Sequence, residues 1–238
     1  MLWATLGCSQ TSSSSPPVDG GTPDGATAVD AAAAPGPVYA LTGSSDGQLR
    51  AFLVDVAAGT LTLKGATAAG TNPSFLAVDT QRARVFAVDE NSSEVLAFGF
   101  DPRTAGFTAR GKTGTLGAGP AHVAVSPGGD AVLVANYGGG SVAVFPVLGD
   151  GSLGAASDTK SPGAKAHQVV PSASGAYAFV PCLGANLIAQ YSFAGGKLTT
   201  NSPPTVSPPA GAGPRHLAFH PSQKWAFGIN ELASSLTS

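Results

Sequence analysis

Near the end of the chain, the stretch GPRHLAFHPSQKWAFGINE (Gly213 to Glu231) sets an arginine beside a histidine, with a glutamate sixteen positions after the arginine. These residue types can supply what a polar reaction needs. Histidine has the side-chain pKa nearest neutrality and can take or give a proton. Arginine keeps its charge and can fork two hydrogen bonds onto an oxyanion, a carboxylate or a phosphate. A glutamate can orient a histidine, or donate a proton if its own pKa is raised. Polar groups flanking apolar strand-like residues are common, however, so the stretch carries chemistry only if the fold brings other groups to it.

An internal repeat supplies that fold. Four stretches align, beginning NPSFLAVD at Asn72, GPAHVAVS at Gly119, KAHQVVPS at Lys165 and GPRHLAFH at Gly213. Their anchors are Phe75, His122, His167 and His216, spaced by 47, 45 and 49 residues. Each unit reads as a short alternating strand, a turn, a second strand (AVLVAN, AYAFVP), a third (SVAVFPV, NLIAQYSF) and a more polar fourth (FTARGKTG). The strands are four to eight residues long and bounded by Gly, Pro, Asn or Ser. Four short strands in about 45 residues is the arithmetic of a β-propeller blade. The expected fold is therefore all-β, a propeller of four-stranded blades. In a propeller, the start of each innermost strand and the loop after each second strand reach one end of the central channel. Positions far apart in sequence then form one site.

Composition narrows the functions. The chain has 238 residues, 43% hydrophobic and only 11% charged, with a formal charge of −2. That balance offers no basic face for nucleic acid. Gly 32 and Pro 19 imply many turns. There is no HExxH, GxSxG or P-loop spacing, and the glycines 138–140 read as a hairpin turn. No carboxylate cluster suggests a metal, and no cofactor is expected.

The phrases GPRH…HP…NE in one unit and AH in the unit before resemble the seven-bladed lactonase family, which includes propeller-type 6-phosphogluconolactonases and carboxymuconate-cyclising enzymes. The resemblance runs from about residue 37 to the end. It implies hydrolysis of a small-molecule lactone by water activated in the central channel. It leaves open the cyclase chemistry of the muconate enzymes, and equally a non-catalytic exported propeller that binds a ligand or partner. By resemblance, the catalytic set falls on His167, Arg215 and Glu231: His167 to activate water, Arg215 to hold the oxyanion, Glu231 to orient or protonate. His122, His216, Asn136, Tyr137, Asn230 and Glu90 are expected to contact substrate, with Asp89 lining the channel. Structural readings compete with these roles. Arg215 with Glu231 could be an inter-blade salt bridge, and His122 or His216 could only hydrogen-bond a neighbouring blade. His220 is expected to be structural in its HP turn, and Trp225 to lie in the core.

A complete seven-bladed member needs on the order of 330 residues at this period. Residues 37–238 hold about four to five blades, so the chain reads as a C-terminally truncated member. The first unit, VYALTGSSDGQLRAFLVD, is expected to lack its innermost or outermost strand. The resemblance implies an ester hydrolase, monomeric when complete, and leaves open whether a chain of four to five blades is active. Residues 1–8 (MLWATLGC) resemble the end of a bacterial lipoprotein signal that would lipidate Cys8. Residues 9–36 are Ser/Pro/Ala/Gly-rich and read as a disordered tether. Together they imply an exported protein anchored by lipid rather than by a transmembrane span; without that signal it would be cytoplasmic. The second cysteine, Cys182, reads as a small buried thiol.

Overall fold

The computed structural model describes residues 36–238. Cys8, the signal-like segment and nearly all of the expected tether lie outside them. The described residues form 18 strands in five antiparallel sheets. Blade 1 comprises β1 (Tyr39–Ser44), β2 (Gln48–Asp55) and β3 (Thr60–Ala68). Blade 2 comprises β4 (Pro73–Asp79), β5 (Arg84–Asp89), β6 (Glu94–Asp101) and β7 (Gly106–Gly114). Blade 3 comprises β8 (Pro120–Val125), β9 (Ala131–Asn136), β10 (Ser141–Pro146) and β11 (Asp158–Lys160). Blade 4 comprises β12 (Val170–Pro171), β13 (Tyr177–Cys182), β14 (Leu187–Ala194) and β15 (Lys197–Val206). Blade 5 comprises β16 (Pro214–Phe219), β17 (Ala226–Asn230) and β18 (Ser235–Thr237). No helix of the described residues is long and apolar enough to cross a membrane.

Every sheet is ordered as consecutive hairpins, the up-and-down meander of a propeller blade. Period-2 alternation explains how the blades stack. On β5, Val85 and Ala87 face blade 1 while Phe86 and Val88 face blade 3. On β9, Val132 and Val134 pack back on blade 2 while Leu133 and Ala135 pack forward on blade 4. A central strand buried on both faces must be apolar throughout, which is why AVLVAN and RVFAVD carry so few polar letters. The core is thus a series of layers between blades, and the blades hold one another upright around the channel.

Hydrogen bonds place blade 1 in the common frame. Ala69 N–H donates to Gly47 O just as Thr115 N–H donates to Ser93 O. That equates β1, β2 and β3 with β5, β6 and β7, so the strand absent from blade 1 among the described residues is the innermost. Trp225 departs from its expected core position. It lies in the turn before β17 with 62% of its surface exposed, near the exposed Phe227 and Ile229. By period-2 alternation it shares the face of Phe227 and Ile229. These are the counterparts of Phe86 and Val88, which pack blade 2 on blade 3, and no blade among the described residues covers that face in blade 5.

Candidate active site

The same irregularity opens the innermost strand of three blades. In each, a β-bulge follows a proline: Pro73 pairs with Asp89, Pro120 with Asn136 and Pro214 with Asn230, and the register then shifts by one. A bulge inserts one unpaired residue and re-aims it. Here that residue is Ser74, Ala121 or Arg215. The residue before the proline in blades 3 and 5 is left-handed: Gly119 at φ 56° and Gly213 at φ 66°. A Cβ at Gly213 would also come within 2.6 Å of Leu232, so glycine is required there.

Blade 4 uses the same frame with different residues, and this corrects the sequence alignment of the histidines. Lys165 adopts φ 57°, like Gly119 and Gly213, and its carbonyl accepts from Leu183 N–H. The carbonyls of Gly119 and Gly213 likewise accept from Tyr137 N–H and Glu231 N–H. Ala166 bridges Cys182 as the prolines pair with Asp89, Asn136 and Asn230. His167 is therefore the counterpart of Ser74, Ala121 and Arg215, not of Phe75, His122 and His216. Gln168 takes the latter position, its Oε1 accepting from Leu217 N–H at 2.6 Å. Likewise Cys182 and Leu183 match Asn230 and Glu231. Matching the histidines by type slipped the fourth unit by one residue, because its short inner strand offers little apolar pattern to hold the register.

The bulge residues and the residues ending the second strands surround a cavity of about 290 Å³. His167 and Arg215 meet across it with Glu90 and Tyr137. Arg215 Nε–H donates to His167 Nε2 at 3.1 Å, and Arg215 Nε also stands 2.9 Å from Glu231 Oε2 as an ion pair. The contact with His167 requires an unprotonated Nε2, so the ring proton sits on Nδ1, which is buried without a partner. Burial pushes the His167 pKa below 6.5, the Arg215 charge pushes it further, and Glu231 and Glu90 only partly oppose them. His167 is consequently a neutral base at pH 7. The terminal guanidinium nitrogens of Arg215 have no hydrogen-bond partner among the described residues and remain free to fork onto an oxygen. Glu231 does not line the cavity and pairs with Arg215 within blade 5, not between blades. With both side chains more than 40% exposed, the pair contributes on the order of 0–1 kcal/mol, so its effect is to aim Arg215 rather than to stabilise the fold.

The remaining site residues divide. Tyr137 and His216 pack edge-on against the His167 ring, with centroids at 5.3 and 5.2 Å, and Lys165 Nζ lies 5.5 Å from the Tyr137 ring. Burial, then Arg215 and His167, depress His216 to a pKa of about 4. His122 sits beneath the cavity, stacked on Phe75 at 4.1 Å, with a pKa far below 6.5 through burial. Asn136 and Asn230 are likewise buried and do not line the cavity. The Asn136 amide donates to Thr115 O and Ser141 Oγ, and that of Asn230 to Ser235 Oγ, so both brace strand ends. His122, Asn136 and Asn230 are thus corrected from substrate contacts to supports of the cavity. Asp89, expected in the channel, does the same: burial raises its pKa, but hydrogen bonds from Ser92, Thr71 and Asn72 more than offset this and hold it near 2. Ser74 and Phe75 line the cavity unforeseen as contacts; the bulge after each proline was the available signal. Among the described residues no cluster of His, Cys, Asp or Glu is arranged to hold a metal ion.

Residues 38–238 match the family described as lactonase, 7-bladed beta-propeller. The chain belongs to that family. It is 31% identical over 177 residues to a 6-phosphogluconolactonase of Bacillus subtilis, covering 69% of this chain and 50% of the relative. A 6-phosphogluconolactonase of Pectobacterium carotovorum is 33% identical over 49% of this chain and 36% of its own. Among solved structures, the periplasmic gluconolactonase of Pseudomonas aeruginosa superposes with a TM-score of 0.74 at 29% identity, over 83% of this chain and 62% of that one. The chain therefore spans about half the length of the curated propeller lactonases that it matches.

Proposed function

We propose that the channel hydrolyses the ester bond of a sugar lactone. The observation that carries this reading is the unprotonated Nε2 of His167, 3.1 Å from an arginine whose terminal nitrogens are free. In this mechanism the lactone carbonyl oxygen docks on the Arg215 fork, which draws the guanidinium off His167. Nε2 then takes a proton from water as the water oxygen attacks the carbonyl carbon. The tetrahedral oxyanion forms against Arg215, held in place by Glu231. The ring C–O bond breaks on collapse, and protonated His167 returns its proton to the leaving alkoxide, giving the hydroxy acid. Tyr137 and His216 keep the imidazole edge in line. The names of the relatives support hydrolysis over ring closure. Arg215 is the one cation lining the cavity among the described residues, and Glu231 already pairs with it, which supports a lactone without phosphate.

The test is proton release on ring opening of D-glucono-1,5-lactone and its 6-phosphate by the 238-residue chain, corrected for spontaneous hydrolysis. Acceleration of the uncharged lactone, lost in Arg215→Gln, is expected. Saturable binding without acceleration would replace the enzyme with a binding propeller, and neither binding nor turnover would overturn the reading. Export is part of the proposal: the periplasmic relative and the Cys8 segment support it, and incorporation of labelled palmitate, lost in Cys8→Ser, tests the lipid anchor.

A further inference from the structure

We propose that a second cavity, at the opposite end of blades 2 and 3, binds a small phosphate-bearing anion. This inference does not rest on the lactone reading. The cavity measures about 550 Å³ and is lined by Arg82, Arg84, Arg103 and Arg110, four of the chain's six arginines. It lies far from the channel mouth: Arg84 opens β5 whereas Asp89 closes it, a span of about 17 Å at roughly 3.4 Å per residue. All its walls come from two complete four-stranded blades.

Two of the arginines are occupied and two are not. Arg103 is held by Asp101 at 3.1 Å, and Arg82 by Asp79 at 3.3 Å. Arg84 and Arg110 have no hydrogen-bonded or ion-paired partner among the described residues. Each guanidinium lies on a glycine instead. A Cβ at Gly151 would stand 3.3 Å from Arg84 Nε, and one at Gly99 would stand 3.4 Å from Arg110 Nε and Nη2. The bare backbone lets the planar groups settle over the cavity with no carboxylate hydrogen-bonded to them, although the pKa of Asp150, lowered first by hydrogen bonds from Ser152, is lowered also by the nearby Arg110 charge. Asp150 also lines the cavity, but its Oδ1 is engaged by Ser152 N–H at 3.0 Å and Ser152 Oγ at 2.7 Å. Four arginines against Asp101, Asp150 and Asp79, which holds Arg82, leave a net +1 here, in a chain whose formal charge is −2. Gathering unpaired like charges is unfavourable unless a counter-charge joins them. Two forked donors facing one space match the oxygens of a phosphate group, which accepts bidentate hydrogen bonds from arginine.

Inorganic pyrophosphate is the probe, titrated at low ionic strength into the 238-residue chain and followed by calorimetry and by the arginine side-chain N–H resonances. Saturable binding that shifts Arg84 and Arg110 and weakens with salt is expected. Arg84→Gln with Arg110→Gln should weaken it by about tenfold or more. Arg215→Gln should leave it unchanged. Absence of binding, unshifted Arg84 and Arg110 signals, or loss in Arg215→Gln alone would overturn the proposal; the shifts decide the matter even if the double variant misfolds. A phospholipid headgroup presents the same phosphate, so cosedimentation with phosphatidylglycerol vesicles identifies the source. Vesicle binding lost in the double variant marks a headgroup, and pyrophosphate binding without vesicle binding marks a soluble ligand.

Discussion

Blade 2 opens with Pro73, Ser74 and Phe75 and closes its second strand with Asp89 and Glu90. Blade 5 opens with Pro214, Arg215 and His216 and closes with Asn230 and Glu231. The backbone is the same in both, down to the bulge after the proline and the pairing of that proline with the strand end. Only the contents differ. In blade 2 the bulge holds a serine, and the Glu90 carboxylate has no ion-pair partner among the described residues. In blade 5 it holds an arginine that reaches both Glu231 and the His167 ring of blade 4. A repeated frame thus makes a ring of interchangeable positions, and the chemistry resides in which position receives which side chain. Ser74, Ala121, His167 and Arg215 are one such ring, with the proposed catalytic pair in adjacent blades.

Making one blade resemble another tests that view. The largest effect is expected from His167→Ala, which gives blade 4 the alanine that blade 3 carries at Ala121. Loss of the base should lower kcat for lactone opening by about 10²–10⁴-fold, measured as proton release above the spontaneous rate. A smaller, directional effect is expected in Arg215→Gln. Burial is the main depressor of the His167 pKa and Arg215 is the next, so removing that charge should move its titration to higher pH. Side-chain NMR of His167 reads this shift without needing turnover; an unmoved titration would show that the two groups do not sense each other.

The smallest change is His216→Phe, which copies Phe75. Burial, with the nearby Arg215 and His167, holds His216 near 4 against 6.5 in the unfolded chain. Between those values the unfolded state binds the extra proton, so stability falls as pH drops from about 6.5 towards 4. The phenylalanine variant should therefore lose less Tm than the natural chain between pH 7 and pH 4.5 in calorimetry. His122 is depressed in the same direction and keeps the slope from vanishing.

The blade count, the strand order and the gap in blade 1 were legible in the sequence, because alternation and turn residues repeat with a period near 47. The pairing of Arg215 with Glu231 was legible only in part: the sequence offered it as a salt bridge between blades, and it forms within blade 5. What escaped the sequence was direction. Asn136 and Glu90 sit at neighbouring positions of the strand end, yet one points into the sheet to brace Thr115 and the other lines the cavity. A period-2 strand turns such neighbours to opposite sides, and only the bulge decides which side meets the channel. The slip at His167 has the same origin. Lys165 in a left-handed conformation carries no glycine to announce that it stands where Gly119 and Gly213 stand. The arginine-lined cavity was invisible for another reason: its residues come from a turn, a strand and the loop of a neighbouring blade, with no shared motif.

The central claim is that an arginine at the blade 5 bulge turns a structural ring into a lactone-opening site. Comparing kcat/KM of Arg215→Ser with that of Ser74→Ala tests it most directly, since the first variant gives blade 5 the content of blade 2. The account predicts a loss of about 10²–10³-fold for Arg215→Ser, the size expected for removing an oxyanion donor, and a far smaller loss for Ser74→Ala. Equal losses in the two variants, or full activity in Arg215→Ser, would contradict it.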